Sequence, residues 1–394
     1  MADTNSLKER NLVKPTLETL SPSQIEAIRK IPAHNEARIP QLDAQKPVSM
    51  FTGQEQFENE MNSVFQRQPI ALTVSALLKP GHVMAHDGYG VPLLISRDKQ
   101  GVAHVFLNAC QHKGAKLIEG CDVHKRNLVT CPYHAWSYTL SGDLAAVARE
   151  ETFANFDKDT RRLTEMPCRE FAGMIWTILD RESDPDWSNL HPQVDEDFKA
   201  MRIDKAHVYG RRQFPLNANW KVVLEPFLEG YHVQRLHARS IGSMFADTPN
   251  ITETFGPNIR QISGKVNFTP EVLVEEADEN IHKTVTHAYE VFPNVVVVTS
   301  PYYISLMIIM PRAAGKSVVD YFMLTPVAPD NEKAEALYSK SYELIQAVFG
   351  KEDFWAAEMS QEGLESGALK TVVYSGLEET IMTFYDILDR QMAV

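Results

Sequence analysis

Four side chains with metal-binding chemistry stand in two matched pairs. Cys110 and His112 are separated by one residue; after 18 intervening residues come Cys131 and His134, separated by two. Two thiolates and two imidazoles in turn-rich loops form a four-ligand set that suits two kinds of centre. One is a structural zinc of the Cys2His2 kind. The other is a two-iron cluster in which two cysteines hold one iron and two histidines hold the other. The even division favours the cluster, because each loop gives one thiolate and one imidazole, as a cluster bridging two loop tips requires. Neutral imidazoles in place of two thiolates raise its potential, so it can take electrons from a donor of lower potential and pass them on. Cys121 and Cys168 lack a histidine partner and read as buried small hydrophobes; His124 reads as a surface loop residue.

A second set of donors lies in NANWKVVLEPFLEGYHVQRLHA, from Asn217 to Ala238, which holds His232 and His237 with Glu225 and Glu229 before them. Two histidines and one carboxylate make a face that leaves positions open on Fe(II) for O2. In a regular helix the two histidines would point about 140° apart. One metal takes both only if the helix bulges or ends between them, so an irregularity is expected at Val233–Leu236. Glu229, three residues before His232, shares its helical face. Spacing leaves it either a ligand or the group that orients a histidine. Trp220 and Tyr231 read as packing. The third ligand must come from downstream, where KEDFWAAEMSQEGL, from Lys351 to Leu364, offers Glu352, Asp353 and Glu358.

The segment CQHKGAKLIEGCDVHKRNLVTCPYHAWSY, Cys110 to Tyr138, resembles the Rieske domain of the ring-hydroxylating oxygenase family, whose usual form is C-x-H-R-G with C-P-Y-H-G-W. Lys113 and Ala135 depart from the usual arginine and glycine, at positions that supply no ligand. The second segment is similar to the N-W-K…D/E-x-x-H-x4-H motif of the same family. The late acidic run is similar to its helix with an aspartate ligand followed by E-x-x-Q and a G-L pair, here Glu358, Gln361 and Gly363-Leu364. The resemblance implies that Cys110, His112, Cys131 and His134 hold a Rieske [2Fe–2S] cluster and that His232, His237 and Asp353 hold a mononuclear Fe(II). It implies that Glu229 is no ligand, but bridges His134 of the partner subunit to His232. Many members of the family have aspartate at this position; glutamate resembles the variants seen in carnitine and related quaternary-amine oxygenases.

The same resemblance implies an oxygenase component fed from NAD(P)H through a ferredoxin and/or flavin reductase. Its chemistry would be hydroxylation, dihydroxylation or oxidative dealkylation of a small substrate. A head-to-tail ring, a homotrimer, is expected to bring cluster and iron of neighbouring subunits together. The pocket is expected from Ser240 to Ile251 and from the Val295–Met310 strands, through Phe245, Val297, Tyr303, Leu306 and Ile308, which suggests a largely apolar, aromatic substrate. The alternatives are a quaternary-amine monooxygenase and a non-catalytic Rieske electron carrier, but a carrier would end soon after Tyr138.

These sites need two kinds of scaffold, and the pattern predicts an α+β fold: an all-β cluster domain plus a mixed catalytic domain with a sheet covered by helices. A helical segment is expected over 1–65, the cluster domain over 66–180 and the catalytic domain over 181–394. Short β-type runs such as Val91–Ile95, Ala103–Asn108, Leu128–Cys131 and Met174–Leu179 alternate with Gly, Asp and Pro turns. Beyond 180, helices are expected over Trp220–Leu236, Asp330–Phe349, Asp353–Glu365 and Leu377–Leu388, and strands over Glu290–Thr299, Tyr303–Met310 and Ser317–Thr325.

With 394 residues, 44% of them hydrophobic, the chain can bury a sizeable core without metal. A formal net charge of −13 and the lack of a lysine-arginine stripe exclude a nucleic-acid partner. The uncharged stretch Val291–Pro311 reads as two strands joined at Thr299-Ser300-Pro301, not as a membrane span. The polar start lacks the apolar core of a signal peptide, so the expected location is cytoplasmic.

Overall fold

Short strands punctuated by turn residues build small sheets, and this is what the first half of the chain does. The computed structural model describes residues 14–275 and 278–393 and divides into two compact units, Phe65–Trp187 and the remainder. Phe65–Trp187 contains three antiparallel sheets. The largest orders Glu165–Met166, Ala103–Leu107, Leu93–Arg97, His82–His86 and His124–Lys125 side by side. In a separate three-stranded sheet, a hairpin joins Cys168–Phe171 to Met174–Thr177 through Ala172 and Gly173, with φ of +53° and +77°. Two positive φ values give a turn whose twist matches that of the strands. His124 pairs with Val83 at the largest sheet's edge instead of lying in a loop. Cys121 and Cys168 are half-buried, not core residues.

The second unit is built on seven antiparallel strands. Their order is His207–Leu216, Lys316–Thr325, Ile304–Ala313, Val295–Thr299, Val285–Val291, Asn258–Gly264, Ile251–Phe255. The stretch expected as one strand, Glu290–Thr299, is the end of one strand and the whole of the next, whereas the hairpin at Thr299–Pro301 forms as expected. His207–Leu216 and Ile251–Phe255 are opposite edges of this sheet, yet they are consecutive strands. The chain between them must therefore travel six strand spacings, roughly 29 Å, along the sheet. That connection carries His232 and His237.

Helices Glu332–Val348, Phe354–Glu365 and Glu379–Met392 complete the unit. Residues 14–64 also belong to it. Ala44–Pro47 pairs with Thr371–Tyr374, and Glu60 meets Lys221 Nζ at 2.6 Å and accepts from Trp220 Nε1 at 2.8 Å, all fully buried. Trp220 thus carries a polar handle besides its packing. A buried pair is weak evidence of net stability, but removing one partner strands the other charge. Lys221→Met is therefore expected to cost about 3–5 kcal/mol in urea unfolding, and Glu60→Gln added to it should return a large part of that loss.

Candidate metal centres

The expected helix over Trp220–Leu236 forms only in pieces. Trp220–Leu224 is α-helical, Glu225–Leu228 tightens to a 3₁₀ turn, and Glu229 is extended at φ −145°, ψ 165°. Pro226 has no N–H to continue the helical ladder, although Glu225 before it stays helical at φ −49°, ψ −44°, and the chain leaves the helix at Glu229, just before Gly230. Val233–Leu236 is then a single helical turn, with His232 at its start and His237 at its end. The irregularity lies on both sides of Val233–Leu236, not within it. Ending the turn at His237 lets both rings face one point, with centroids 5.0 Å apart.

Asp353 reaches the same point from a widened π turn, Phe349–Asp353, wedged between two α-helices. Such bulges re-aim a side chain without ending the helix. Asp353 Oδ1 lies 3.4 Å from His232 Nε2 and 3.3 Å from His237 Nε2. One donor atom from each of the three residues falls within 4.8 Å of the others. Asp353 Oδ2 is buried with no hydrogen-bond partner among the described residues. Two neutral nitrogens, one carboxylate and an orphaned carboxylate oxygen fit a mononuclear iron with open positions.

The other acids have separate tasks. Glu229 Oε1 faces His232 Nδ1 at 2.6 Å, and Oε2 accepts the His232 backbone N–H at 3.0 Å. Glu352, a rival for Asp353's role in sequence, binds His237 Nδ1 and accepts from Ser240 Oγ at 2.7 Å. Each imidazole thus has a carboxylate on Nδ1, which fixes the tautomer that presents Nε2 to a metal. Burial works to lower the pKa of His232, but the bonds to Asp353 and Glu229 outweigh it and push it up to about 9. Asp353 is held below the usual carboxylate range: burial opposes this, and the two histidines prevail. An arriving cation would displace the protons that the triad shares.

Glu358, the remaining rival, is absent from the triad. It accepts from the Asn217 backbone N–H at 2.8 Å, while Gln361 Oε1 accepts from the Asn219 N–H at 3.0 Å. Asn219 in turn caps the helix beginning at Trp220. The helix bearing Asp353 therefore clamps the start of the segment bearing both histidines. Glu225 binds the hydroxyls of Tyr374 and Tyr385 away from the triad, and burial pushes it up to about 7.

A cavity of about 130 Å³ opens on the triad. Phe227, Phe245 and Phe349 supply rings; Val233, Ile241, Ala246 and Val298 add hydrocarbon; Thr248, Asn250, Ser263 and Thr286 add neutral polar groups. The Ser240–Ile251 stretch contributes as expected, Phe245 included. The expected strand residues do not. Val297, Leu306 and Ile308 lie on the opposite face of the sheet from Val298, and Tyr303 lines a different cavity of about 370 Å³. A one-residue error of phase moves every side chain to the other face.

In the other unit, Cys110 and Cys131 are each 3% exposed, while His112 and His134 lie nearer the surface. Backbone bonds shape both loops: Gly114 N–H to Cys110 O at 2.8 Å, and Cys131 N–H to Trp136 O at 2.7 Å. Gly114 and Ala135 have φ of +73° and +57°. Ala135 thus takes a left-handed conformation that costs a side chain about 1 kcal/mol or more. The imidazoles of His112 and His134 meet edge-on at 4.6 Å, and His112 stacks on Trp136 at 4.8 Å. His112 Nδ1 is buried without a hydrogen-bond partner among the described residues, and Tyr138 Oη lies 3.3 Å from Cys110 Sγ. Burial pushes the Cys110 thiol up, and neighbouring Cys131 adds to it; a coordinated metal would deprotonate it. Thiols inside and imidazoles outside fit a cluster whose histidine-bound iron faces the surface.

Comparison with known proteins agrees with both centres. Residues 68–157 match the Rieske [2Fe-2S] domain family, and residues 203–394 match the ring hydroxylating alpha subunit (catalytic domain) family. Chloroplastic choline monooxygenase of Beta vulgaris is 28% identical over 374 residues, which is 92% of this chain and 80% of that protein. The carnitine monooxygenase oxygenase subunit of Escherichia coli (strain K12) is 30% identical over 195 residues, 48% of this chain and 51% of the relative. The fold is that of a quaternary ammonium Rieske monooxygenase solved with L-carnitine (TM-score 0.73, 22% identity, 89% of this chain and 96% of that one). It is also that of naphthalene 1,2-dioxygenase from Rhodococcus sp. (TM-score 0.70, 18% identity, 88% and 94%). The α+β architecture, the paired cysteines and histidines and the two-histidine, one-aspartate centre meet in one conclusion: this chain belongs to the Rieske non-haem iron oxygenases as an oxygenase (alpha) component, an oxidoreductase that works with a [2Fe–2S] cluster and a mononuclear iron.

Proposed function

We propose that the chain is a monooxygenase for a small N-methylated ammonium compound, with Cys110, His112, Cys131 and His134 holding the cluster and His232, His237 and Asp353 the iron. The carrying observation is the cavity on the triad. It is small, walled by three phenyl rings, and has neither lysine nor arginine in its lining. Ring faces attract a desolvated cation, and a positive wall would repel it. Relatives that match over most of both chains are named for choline, and an aromatic substrate, the first expectation from sequence, draws no support from them. Absence of a cationic lining group disfavours substrates whose carboxylate must be bound in the pocket.

The net reaction inserts one oxygen atom: a substrate C–H, O2, two electrons and two protons give C–OH and water. Electrons come from NAD(P)H through a separate reductase. Iron, when bound, supplies the O2 activation. The chain's own part is to orient His232 with Glu229 and His237 with Glu352, and to keep water from the reacting carbon with apolar walls. The proposed assembly is a cytoplasmic homotrimer in which Glu229 meets His134 of the partner subunit. Support comes from Tyr133 and Tyr231, 63% and 44% exposed, which stand beside His134 and Glu229 as large uncovered aromatics. No helix among the described residues is long and apolar enough to cross a membrane.

The test offers choline, carnitine, γ-butyrobetaine, anthranilate and indole to the purified chain with a surrogate NADH-dependent reductase under ¹⁸O2. An ¹⁸O-bearing product from a quaternary amine, with kcat/KM at least tenfold above that for either aromatic, is expected. Turnover of the aromatics alone would overturn the reading.

A further inference from the structure

One buried acid in the catalytic unit takes no part in the functions assigned so far. Glu290 is wholly buried, and neither of its carboxylate oxygens has a hydrogen-bond partner among the described residues. Burial alone pushes its pKa well above the usual carboxylate range; no cationic side chain offsets it. Such a group is destabilising where it stands, since a hydrocarbon of similar size would avoid its desolvation. Its place in the sheet gives it a use. Strand Val285–Val291 pairs without a bulge on both sides, so residues 286, 288 and 290 share one face. Thr286 and Ala288 line the cavity at the triad, as do Ser263 and Val298, their cross-strand partners. Glu290 therefore lies on the floor that carries the cavity, about 7 Å further along the strand than Ala288. Its own cross-strand partners are the hydrocarbons Ile259 and Val296, and its neighbours along that face are the cavity-lining Ala288 and that residue's partner Gln261.

We infer that Glu290 is the specificity-determining residue of this pocket, the anion that holds a quaternary ammonium substrate by charge from beyond Ala288. This rests on the function proposed above. A quaternary ammonium has no N–H to donate, so it needs a nearby negative charge and not a hydrogen-bond acceptor in contact. An acid with two unpartnered oxygens in a region of low dielectric is suited to that, because charge interactions there are weakly screened. The cation takes the place of the proton that Glu290 carries in the empty protein. Glu229 and Asp353 cannot serve, as both are committed to the histidines.

The experiment compares wild type with Glu290→Gln, which keeps shape and removes charge, and with Glu290→Met as a second neutral variant. Calorimetric titration with choline and tetramethylammonium should show at least a tenfold weaker Kd in both variants. In turnover, KM for choline should rise at least tenfold with kcat little changed, while 3,3-dimethyl-1-butanol, the uncharged isostere of choline, should bind as well as before or better. Thermal stability should be equal or higher in the variants. Equal cation affinity in wild type and variants would overturn the inference while leaving the proposed function intact. A parallel loss for choline and the isostere, with lower stability, would reduce Glu290 to a structural role. If wild type neither binds nor oxidises any quaternary amine, the proposed function itself falls.

Discussion

Asparagine or alanine at position 353 is expected to abolish turnover while leaving the Rieske cluster spectroscopically intact. Asp353 is the only carboxylate among the described residues that gathers both histidines, and its second oxygen has no other partner. Without it two imidazoles remain, which is too few to fix an iron against water. Iron should fall from about three to about two per chain, and the EPR signal of the reduced cluster should stay. Turnover should drop at least about a thousandfold, or roughly 4 kcal/mol of transition-state stabilisation. Glu352 sets the comparison. It touches His237 Nδ1 and not the metal position, so Glu352→Ala should weaken iron binding by about 10–100-fold and recover activity at higher iron. Glu358→Ala, at the Asn217 clamp, should retain its iron. If Glu352→Ala lost the third iron irreversibly and Asp353→Asn kept it, the ligand assignment would have to be exchanged.

The three carboxylates were indistinguishable by composition, and their separation shows what local sequence can and cannot carry. Spacing marks both candidate donor sets, because pairs of residues two to five positions apart are local facts. The strands of the second unit were also legible, since β-branched runs bounded by turns announce themselves. Which face of those strands meets the cavity was not. Val295 to Val298 and Ser305 to Met310 are buried on almost every residue, so no alternation of buried and exposed positions marks the phase, and it is Val298, not Val297, that lines the pocket. The π turn at Phe349–Asp353 left no trace in hydrophobic periodicity, although Gly350 sits in it, packed toward Phe214. Pro226 and Gly230 flank the break at Glu229, which the helical period over Trp220–Leu236 does not register. The stretch over 14–64 joins the catalytic unit through a strand pair and an ion pair spanning 161 residues or more, contacts with no local signature.

Glu229→Ala is expected to keep all the iron and still lose turnover, and the reason lies in how the residue is held. Its carboxylate spans the His232 ring and the His232 backbone N–H, on an extended residue that interrupts the helix. That clip sets the ring angle, and the same oxygens are the proposed contact for His134 of the partner subunit. Orientation alone predicts a modest loss, with iron affinity down about tenfold and curable by excess metal. The bridge predicts more: a fall of at least about a hundredfold in turnover driven by the reductase, about 2.7 kcal/mol, with three irons per chain retained. Hydrogen peroxide separates the two, because it brings both oxygen and oxidising equivalents and needs no electron from the cluster. If Glu229 serves transfer, the alanine variant should regain wild-type product yield with peroxide while its reduced cluster stays reduced in the presence of substrate and O2. If it only aligns His232, peroxide-driven turnover should fall in step with the reductase-driven rate. Glu229→Gln keeps a hydrogen-bond acceptor without the charge and should lie between. Unimpaired NADH-driven activity in the alanine variant would remove Glu229 from the path altogether and leave the need for a closed ring without its chemical reason.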